Sequence, residues 1–210
     1  IMKILIISPP RAGSSSLIYS IAELSNYELI YEPYIDPLIS KRTNERAPYP
    51  YSVPDNCVVK MLSYQVPKKY GKQNKFLDYI VSVYKDYDKV ILLNRKNEKE
   101  HFESLVNLQV KNNRRNWGPK APSKPWYYDD ISDKLHQFDS DLYARYRKVI
   151  DEISTKLSIP IIYYEDLYGL DRDKSLKIIK NLDLDLDVRL LNEKLHPKFK
   201  YRQFTKRPIL

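Results

Sequence analysis

Short runs of consecutive apolar residues alternate along this chain with segments whose apolar residues recur every three or four positions. The runs predict strands at residues 3–7, 27–31, 57–62, 89–93 and 161–164, and the first run is typical of a strand buried on both faces. The helical spacing predicts helices at residues 17–24, 75–87, 102–108, 135–157 and 173–182. Because strands and helices alternate from end to end, we predict an α/β fold with a parallel central sheet, helices on both of its faces and right-handed crossovers.

Two long stretches lack such a period and are predicted to be loops, at residues 34–55 and 110–130. The first is rich in proline, tyrosine and charge. The second interleaves two tryptophans with basic residues, which suits stacking on a sugar or an adenine, but equally a single-stranded nucleic-acid groove or a lid of exposed lysines. Leucine then alternates with aspartate at residues 182–187, which we interpret as a short turn before a last helix.

Length, cysteine content and charge narrow the class of protein. The 210 residues suit a single domain, 1–210. A single cysteine, Cys57, excludes an internal disulfide framework, and the three histidines are scattered, so we expect no metal site. No stretch approaches the roughly 18–20 apolar residues of a membrane span, and we expect a cytoplasmic protein. The net charge of +9 favours anionic partners, among which nucleic acid, acidic glycans and a phosphorylated cofactor all qualify.

The turn after the first strand has the composition of an anion site. Pro9 and Pro10 end the strand, Gly13 permits a backbone conformation closed to other residues, and Ser14 to Ser16 are placed to cap the following helix. Such a turn directs backbone N–H groups and the positive end of a helix dipole at one point. We interpret it as a phosphate site, with a capped turn that binds no ligand as the alternative. It is not a Walker A loop, because serine follows Gly13 where that motif has lysine.

Residues 10–17, PRAGSSSL, resemble the 5′-phosphosulfate loop of the PAPS-dependent sulfotransferases, P-[RK]-[ST]-G-[ST]-[ST]-x-L. The resemblance is to carbohydrate-type and bacterial members, and it implies a P-loop-like sulfotransferase fold. In that family the loop binds the donor 3′-phosphoadenosine 5′-phosphosulfate (PAPS), whose product is the bisphosphate PAP. The cofactor-binding residues that this implies here are Arg11, Ala12, Gly13, Ser14, Ser15 and Ser16.

Three later segments resemble the family in the expected order. Arg95 at a strand end and Ser104 on the next helix match its 3′-phosphate motif, although R-K-N replaces the usual R-[DN]-P. Residues 164–167, YEDL, match a strand end that has a structural role near the cofactor loop. The basic segment that wraps the 3′-phosphate is matched by Lys198, Lys200, Tyr201 and Arg202. Taken alone, the arginine could instead cap a helix, and the tail could be a solvated basic segment.

Two further positions carry the chemistry that the resemblance implies. Glu32-Pro33 matches a strand end whose glutamate takes the proton of the acceptor, so Glu32 is the candidate general base. Lys60 interrupts the apolar run of the third strand, and with Arg11 it would stabilise the leaving oxygen. Members that use a histidine base place it where this chain has Leu62, which assigns the base to Glu32. The alternatives are a surface glutamate and a lysine that reaches solvent.

The resemblance therefore implies a sulfotransferase that moves a sulfuryl group from PAPS to a hydroxyl of an unidentified carbohydrate, lipid or small molecule, without a metal. On this interpretation we do not expect nucleic acid as a partner. The residues alone also leave two other classes of protein open. One is a small-molecule or nucleoside kinase-like P-loop protein, which shares the anion loop. The other is a non-catalytic binder of nucleic acid or acidic glycan, which the charge and the aromatic loop favour.

Overall fold

A parallel five-stranded sheet organises the structure, a computed structural model that describes residues 2–34, 53–66, 75–105 and 140–196. Its strands are β1 (Lys3–Ser8), β2 (Glu28–Tyr31), β3 (Cys57–Leu62), β4 (Lys89–Asn94) and β5 (Ile161–Tyr163). They lie in the order β2-β3-β1-β4-β5, and every neighbouring pair is parallel. The predicted parallel α/β sheet is confirmed.

Helices connect the strands and follow the last one. Within the described residues they are α1 (Ser14–Ser25), α2 (Phe76–Val83), α3 (98–105), α4 (Ser140–Leu157), α5 (Tyr164–Leu167), α6 (Arg172–Asn181) and α7 (Val188–Leu195). A 3₁₀ turn, Tyr84–Asp86, extends α2 toward β4. The predicted helices are confirmed where the structure describes them, including the last helix after the leucine and aspartate alternation.

Alternate residues of β1 face opposite sides of the sheet, and helices cover each side. Ile4 and Ile6 pack in a cluster with α1, α6 and α7, while Leu5 and Ile7 pack in a second cluster with α2 and α4. All four side chains are fully buried. A strand buried on both faces needs apolar residues at every position, which is why β1 was recognisable as a continuous apolar run.

The strand order places a crevice at the carboxyl edge of the sheet. From β1 the chain passes through α1 to β2 on one side, whereas from the adjacent β4 it leads to β5 on the other. Neighbouring strands whose connections diverge in this way leave a crevice at their carboxyl ends, where open α/β sheets bind ligands. The residues that follow β1 and β4 flank this crevice.

Two local predictions are wrong. Residues 164–167 do not end a strand, because β5 stops at Tyr163 and these residues form the helical turn α5. The serines do not cap α1, since Gly13 is its N-cap residue and the cap has no side-chain hydrogen bond. The side chains of Ser14 and Ser15 bond instead to groups from β1, β2 and β3.

Most of the two predicted loops and the basic segment at 198–202 lie outside the described residues. In the part of the chain that the structure describes, no helix is both long enough and apolar enough to cross a membrane.

Candidate active site

The connection between β1 and α1, which we call the anion loop (residues 9–13), enters the left-handed backbone region twice. Arg11 has φ 66° and Gly13 has φ 82°. Glycine adopts this region readily, whereas a residue with a side chain is held there at a cost of about 1–2 kcal/mol. Left-handed residues in a tight turn bring N–H groups to one side, which creates a concavity suited to an anion. The positive end of the α1 dipole adds to the potential there.

Two tyrosines explain why residue 13 is glycine. A Cβ atom on Gly13 would lie 2.5 Å from Cε2 of Tyr168 and 2.8 Å from Cδ2 of Tyr164. The Tyr168 hydroxyl donates to the carbonyl oxygen of Gly13 at 2.7 Å. Burial raises the pKa of Tyr168, so the phenol stays protonated and able to donate. The α5 turn and the residue after it therefore hold the end of the anion loop in place.

A buried histidine holds the other end of the loop. Nε2 of His101, on α3, lies 2.6 Å from the carbonyl oxygen of Pro10. A carbonyl only accepts, so Nε2 carries the proton and donates. Burial lowers the pKa of His101 to about 4, because the imidazolium ion would lose its hydration. The ring is therefore neutral near pH 7.

Lys60 and Glu32 form a buried ion pair beside the anion loop. Glu32 follows β2 and Lys60 lies in the adjacent strand β3, with Nζ and Oε1 2.5 Å apart. The two side chains are only 4% and 7% exposed. The interpretations of Lys60 as a lysine that reaches solvent and of Glu32 as a surface glutamate are therefore wrong.

The Lys60 ammonium group also connects this ion pair to α1. Besides Glu32, Nζ donates to the Tyr31 hydroxyl at 2.9 Å and to Oγ of Ser15 at 3.1 Å. The Ser15 and Tyr31 hydroxyls lie 2.8 Å apart and bond to each other. All three ammonium protons have acceptors, which is the condition for keeping this charge buried. Because Ser15 is in the first turn of α1, which follows the anion loop, one hydrogen-bonded network joins Glu32 to the start of that helix.

Gln65 fixes the second carboxylate oxygen of Glu32. Its Nε2 donates to Glu32 Oε2 at 3.1 Å, while its Oε1 accepts from the backbone N–H of Leu62 at 2.9 Å. The backbone donor settles which end of the amide faces the carboxylate. Gln65 is almost fully buried. Both oxygens of Glu32 thus have one donor each, and lone pairs remain for a further partner.

Ser104 lies against the anion loop from the opposite side. Arg11 Nε donates to Ser104 Oγ at 3.0 Å. Ser104 is three residues after His101 on α3, so both side chains lie on one face of that helix. This face contacts both the backbone and the arginine of the loop. The structure thus brings together Arg11 and Ser104, which the sequence placed in two separate motifs.

Arg95, at the end of β4, is held by carboxylates. Its guanidinium lies 4.4 Å from the centre of the Tyr164 ring, and it pairs with Glu100 at 3.2 Å and Glu165 at 3.4 Å. The side chain is only 10% exposed. Since Tyr164 also packs against Gly13, one ring contacts both the arginine and the anion loop.

Glu165 ties the turn after β4 to α5. Its carboxylate accepts the backbone N–H groups of Lys96 at 2.8 Å and Asn97 at 3.2 Å. Burial acts to raise the pKa of Glu165, but these N–H donors and the Arg95 charge outweigh it and hold that pKa below its usual range.

Within the described chain, hydrogen bonds join Lys60 to Glu32 and Ser15, and Arg11 to Ser104. Lys200, Tyr201 and Arg202 lie outside the described residues. The sequence analysis missed Gln65, His101 and Tyr168. Gln65 and His101 are buried and Tyr168 is half-buried, and all three reach these surroundings only because distant segments pack together. A single sequence carries no local signal for such burial.

The comparisons with known proteins assign no function to this site, so its side chains alone are interpreted. A scan against protein-family models and a search of curated proteins both found no match to this chain. Among the described residues, no group of three or more histidine, cysteine, aspartate or glutamate side chains is placed to hold a metal ion.

Proposed function

We propose that this protein is a sulfotransferase that moves the sulfuryl group of PAPS to a hydroxyl of a carbohydrate, lipid or small molecule. The observation that carries the proposal is the buried network in which Lys60 contacts both Glu32 and Ser15. It supports the proposal because hydrogen bonds join a carboxylate, a cation and the first turn of α1, which follows the anion loop. On this proposal the chain has the P-loop-like sulfotransferase fold.

The anion loop and α3 would bind the two ends of the donor. Backbone N–H groups of residues 12–16 and the Arg11 side chain suit the 5′-phosphosulfate. Ser104 and Arg95 suit the 3′-phosphate, together with Lys200, Tyr201 and Arg202. Arg95 would exchange a carboxylate for the phosphate, and the exposed Glu100 is the easier of its two partners to displace, since its side chain is 59% exposed.

The reaction would be an in-line displacement at sulfur. The acceptor oxygen forms a bond to sulfur as the bond between sulfur and the bridging oxygen breaks, leaving PAP. Glu32 takes the acceptor proton, and Lys60 and Arg11 balance the negative charge that grows on the bridging oxygen. Catalysis of this kind depends on positioning and charge stabilisation rather than on covalent chemistry of the protein.

Replacing the proposed base tests the mechanism. We expect Glu32→Gln to abolish sulfuryl transfer from PAPS, measured with a radiolabelled sulfuryl group and a panel of sugars, alcohols and phenols. PAP affinity should stay close to the wild-type value, because the loop and α3 are unchanged. Glu28→Gln is the matched control, since Glu28 lies on the same strand but is exposed. Normal turnover by the Glu32→Gln protein would remove Glu32 from the mechanism.

A further inference from the structure

His101 has features that a packing role alone does not require. It is fully buried, yet its ring is polar and makes a short hydrogen bond to the Pro10 carbonyl. Arg11, the residue after Pro10, has φ 66°. A non-glycine residue keeps such a conformation only where the surroundings enforce it, and such strain is concentrated at functional sites.

The hydrogen bond from His101 also decides which way the loop N–H group points. In a trans peptide the C=O and the following N–H point in opposite directions. Since the Pro10 carbonyl is turned toward His101, the Arg11 N–H is turned away from α3. Tyr168 makes the equivalent contact with the Gly13 carbonyl at the other end of the loop. Two donors from distant segments therefore orient the peptide planes that follow Pro10 and Gly13.

We propose that His101 is a positioning residue for the anion site, which holds the Pro10–Arg11 peptide so that the loop presents its N–H groups to a phosphate or phosphosulfate. The inference deepens the proposed function and rests on it for the identity of the ligand. It does not require Glu32 or the acceptor, since it concerns anion binding alone. Because the ring is neutral near pH 7, it acts through the hydrogen bond from Nε2 to the Pro10 carbonyl and not through a charge.

Glutamine and leucine at position 101 separate the hydrogen bond from packing. Glutamine can place an N–H donor near the position of Nε2, whereas leucine fills the space without donating. His196→Leu is a matched control, because His196 Nε2 contacts the side chain of Ser175 in the α6–α7 region. Affinities for PAP and for inorganic pyrophosphate would be measured on the full chain by calorimetry, with urea unfolding of the same samples.

We expect His101→Leu to weaken binding of both anions by about tenfold or more, and His101→Gln to stay within about threefold of wild type. His196→Leu should lower stability without changing either affinity. If the leucine variant does not fold, His101→Asn replaces it, since asparagine is too short to reach the Pro10 carbonyl.

Equal affinity of wild type and the leucine (or asparagine) variant would overturn the positioning role, as would equal losses in the glutamine and leucine variants. If wild type binds pyrophosphate in a His101-dependent way but does not bind PAP, the inference stands and the proposed function fails. If wild type binds neither anion, both are overturned.

Discussion

Two ion-pair clusters flank the anion loop, and they differ in how far their side chains are exposed to solvent. On the β2–β3 side, Lys60 and Glu32 are 4% and 7% exposed and bond to other side chains. On the β4 side, Arg95 is 10% exposed, but its partners Glu100 and Glu165 are 59% and 27% exposed. The first cluster is sealed and the second is partly open.

This difference in exposure suits the first cluster to proton transfer and the second to exchanging a carboxylate partner for a phosphate. A buried ion pair is stable when further hydrogen bonds hold both of its charged groups, so its geometry is set before any ligand binds. Fixed geometry is what a proton acceptor and its neighbouring cation need. A cation that is paired with an exposed carboxylate can instead trade that partner for a phosphate at small cost. On the proposed function, the Lys60 side would carry the catalysis and the Arg95 side would recognise the donor.

The largest effect is expected from breaking the sealed pair. Lys60→Met leaves the Glu32 carboxylate buried without its cation, which should cost about 3–5 kcal/mol of unfolding free energy. Urea denaturation measures this. The double variant Lys60→Met with Glu32→Gln should lose less than the sum of the single losses, because no unpaired charge remains. Strict additivity, or a loss no larger than that of Lys148→Met in an exposed pair, would contradict the sealed character of the cluster.

An intermediate effect is expected at Glu165. Glu165→Gln keeps an acceptor but loses the charge, which should cost about 2 kcal/mol at pH 7. The pKa of Glu165 is lowered in the folded protein from its ordinary value of 4.5. Its stabilisation is therefore present above about pH 4.5 and is lost as pH falls through the folded-state pKa. Urea titrations between pH 3 and 7 should show the unfolding free energy of wild type approaching that of the variant as the pH falls. A constant difference in unfolding free energy across that range would contradict the lowered pKa of Glu165.

The smallest change in stability is expected at Glu100. Because its side chain is mostly exposed, Glu100→Gln should alter the unfolding free energy by less than about 1 kcal/mol. PAP affinity should rise, since a competitor for the Arg95 guanidinium is weakened. Glu98→Gln is the control on the same helix, because Glu98 pairs with Arg147 instead. Weaker PAP binding by Glu100→Gln would show that Glu100 supports the site rather than competing for it.

Although the edge strands β2 and β5 are less buried, the sheet could be predicted from the sequence because its central strands are largely buried on both faces. In β1 and β3 this makes almost every residue apolar, and the period of the helices between them is equally local. Residues 164–167 show the limit of such patterns, since YEDL has no apolar run and its helical turn is set by packing against Gly13 and by the bonds of Glu165 to the turn after β4.

The site could be predicted only in outline. A strand end identified Glu32, and an interrupted apolar run identified Lys60. The pairing register that sets Tyr31 opposite Lys60, and so brings Glu32 to Nζ, is a property of the assembled sheet. The positions of Gln65 and His101 depend on contacts between segments far apart in the chain. A local pattern therefore indicates which residues end the strands, whereas tertiary packing decides which of them touch.

Selectivity for the 3′-phosphate tests the central claim most directly. Calorimetry on the full chain would compare PAP with 5′-AMP, ATP with Mg²⁺, and a single-stranded oligonucleotide at two salt concentrations. The account predicts that PAP binds at least about tenfold more tightly than 5′-AMP, and that Arg95→Ala and Ser104→Ala remove this preference. Mg²⁺-dependent ATP binding without PAP binding, or steeply salt-dependent oligonucleotide binding that PAP does not compete with, would contradict it.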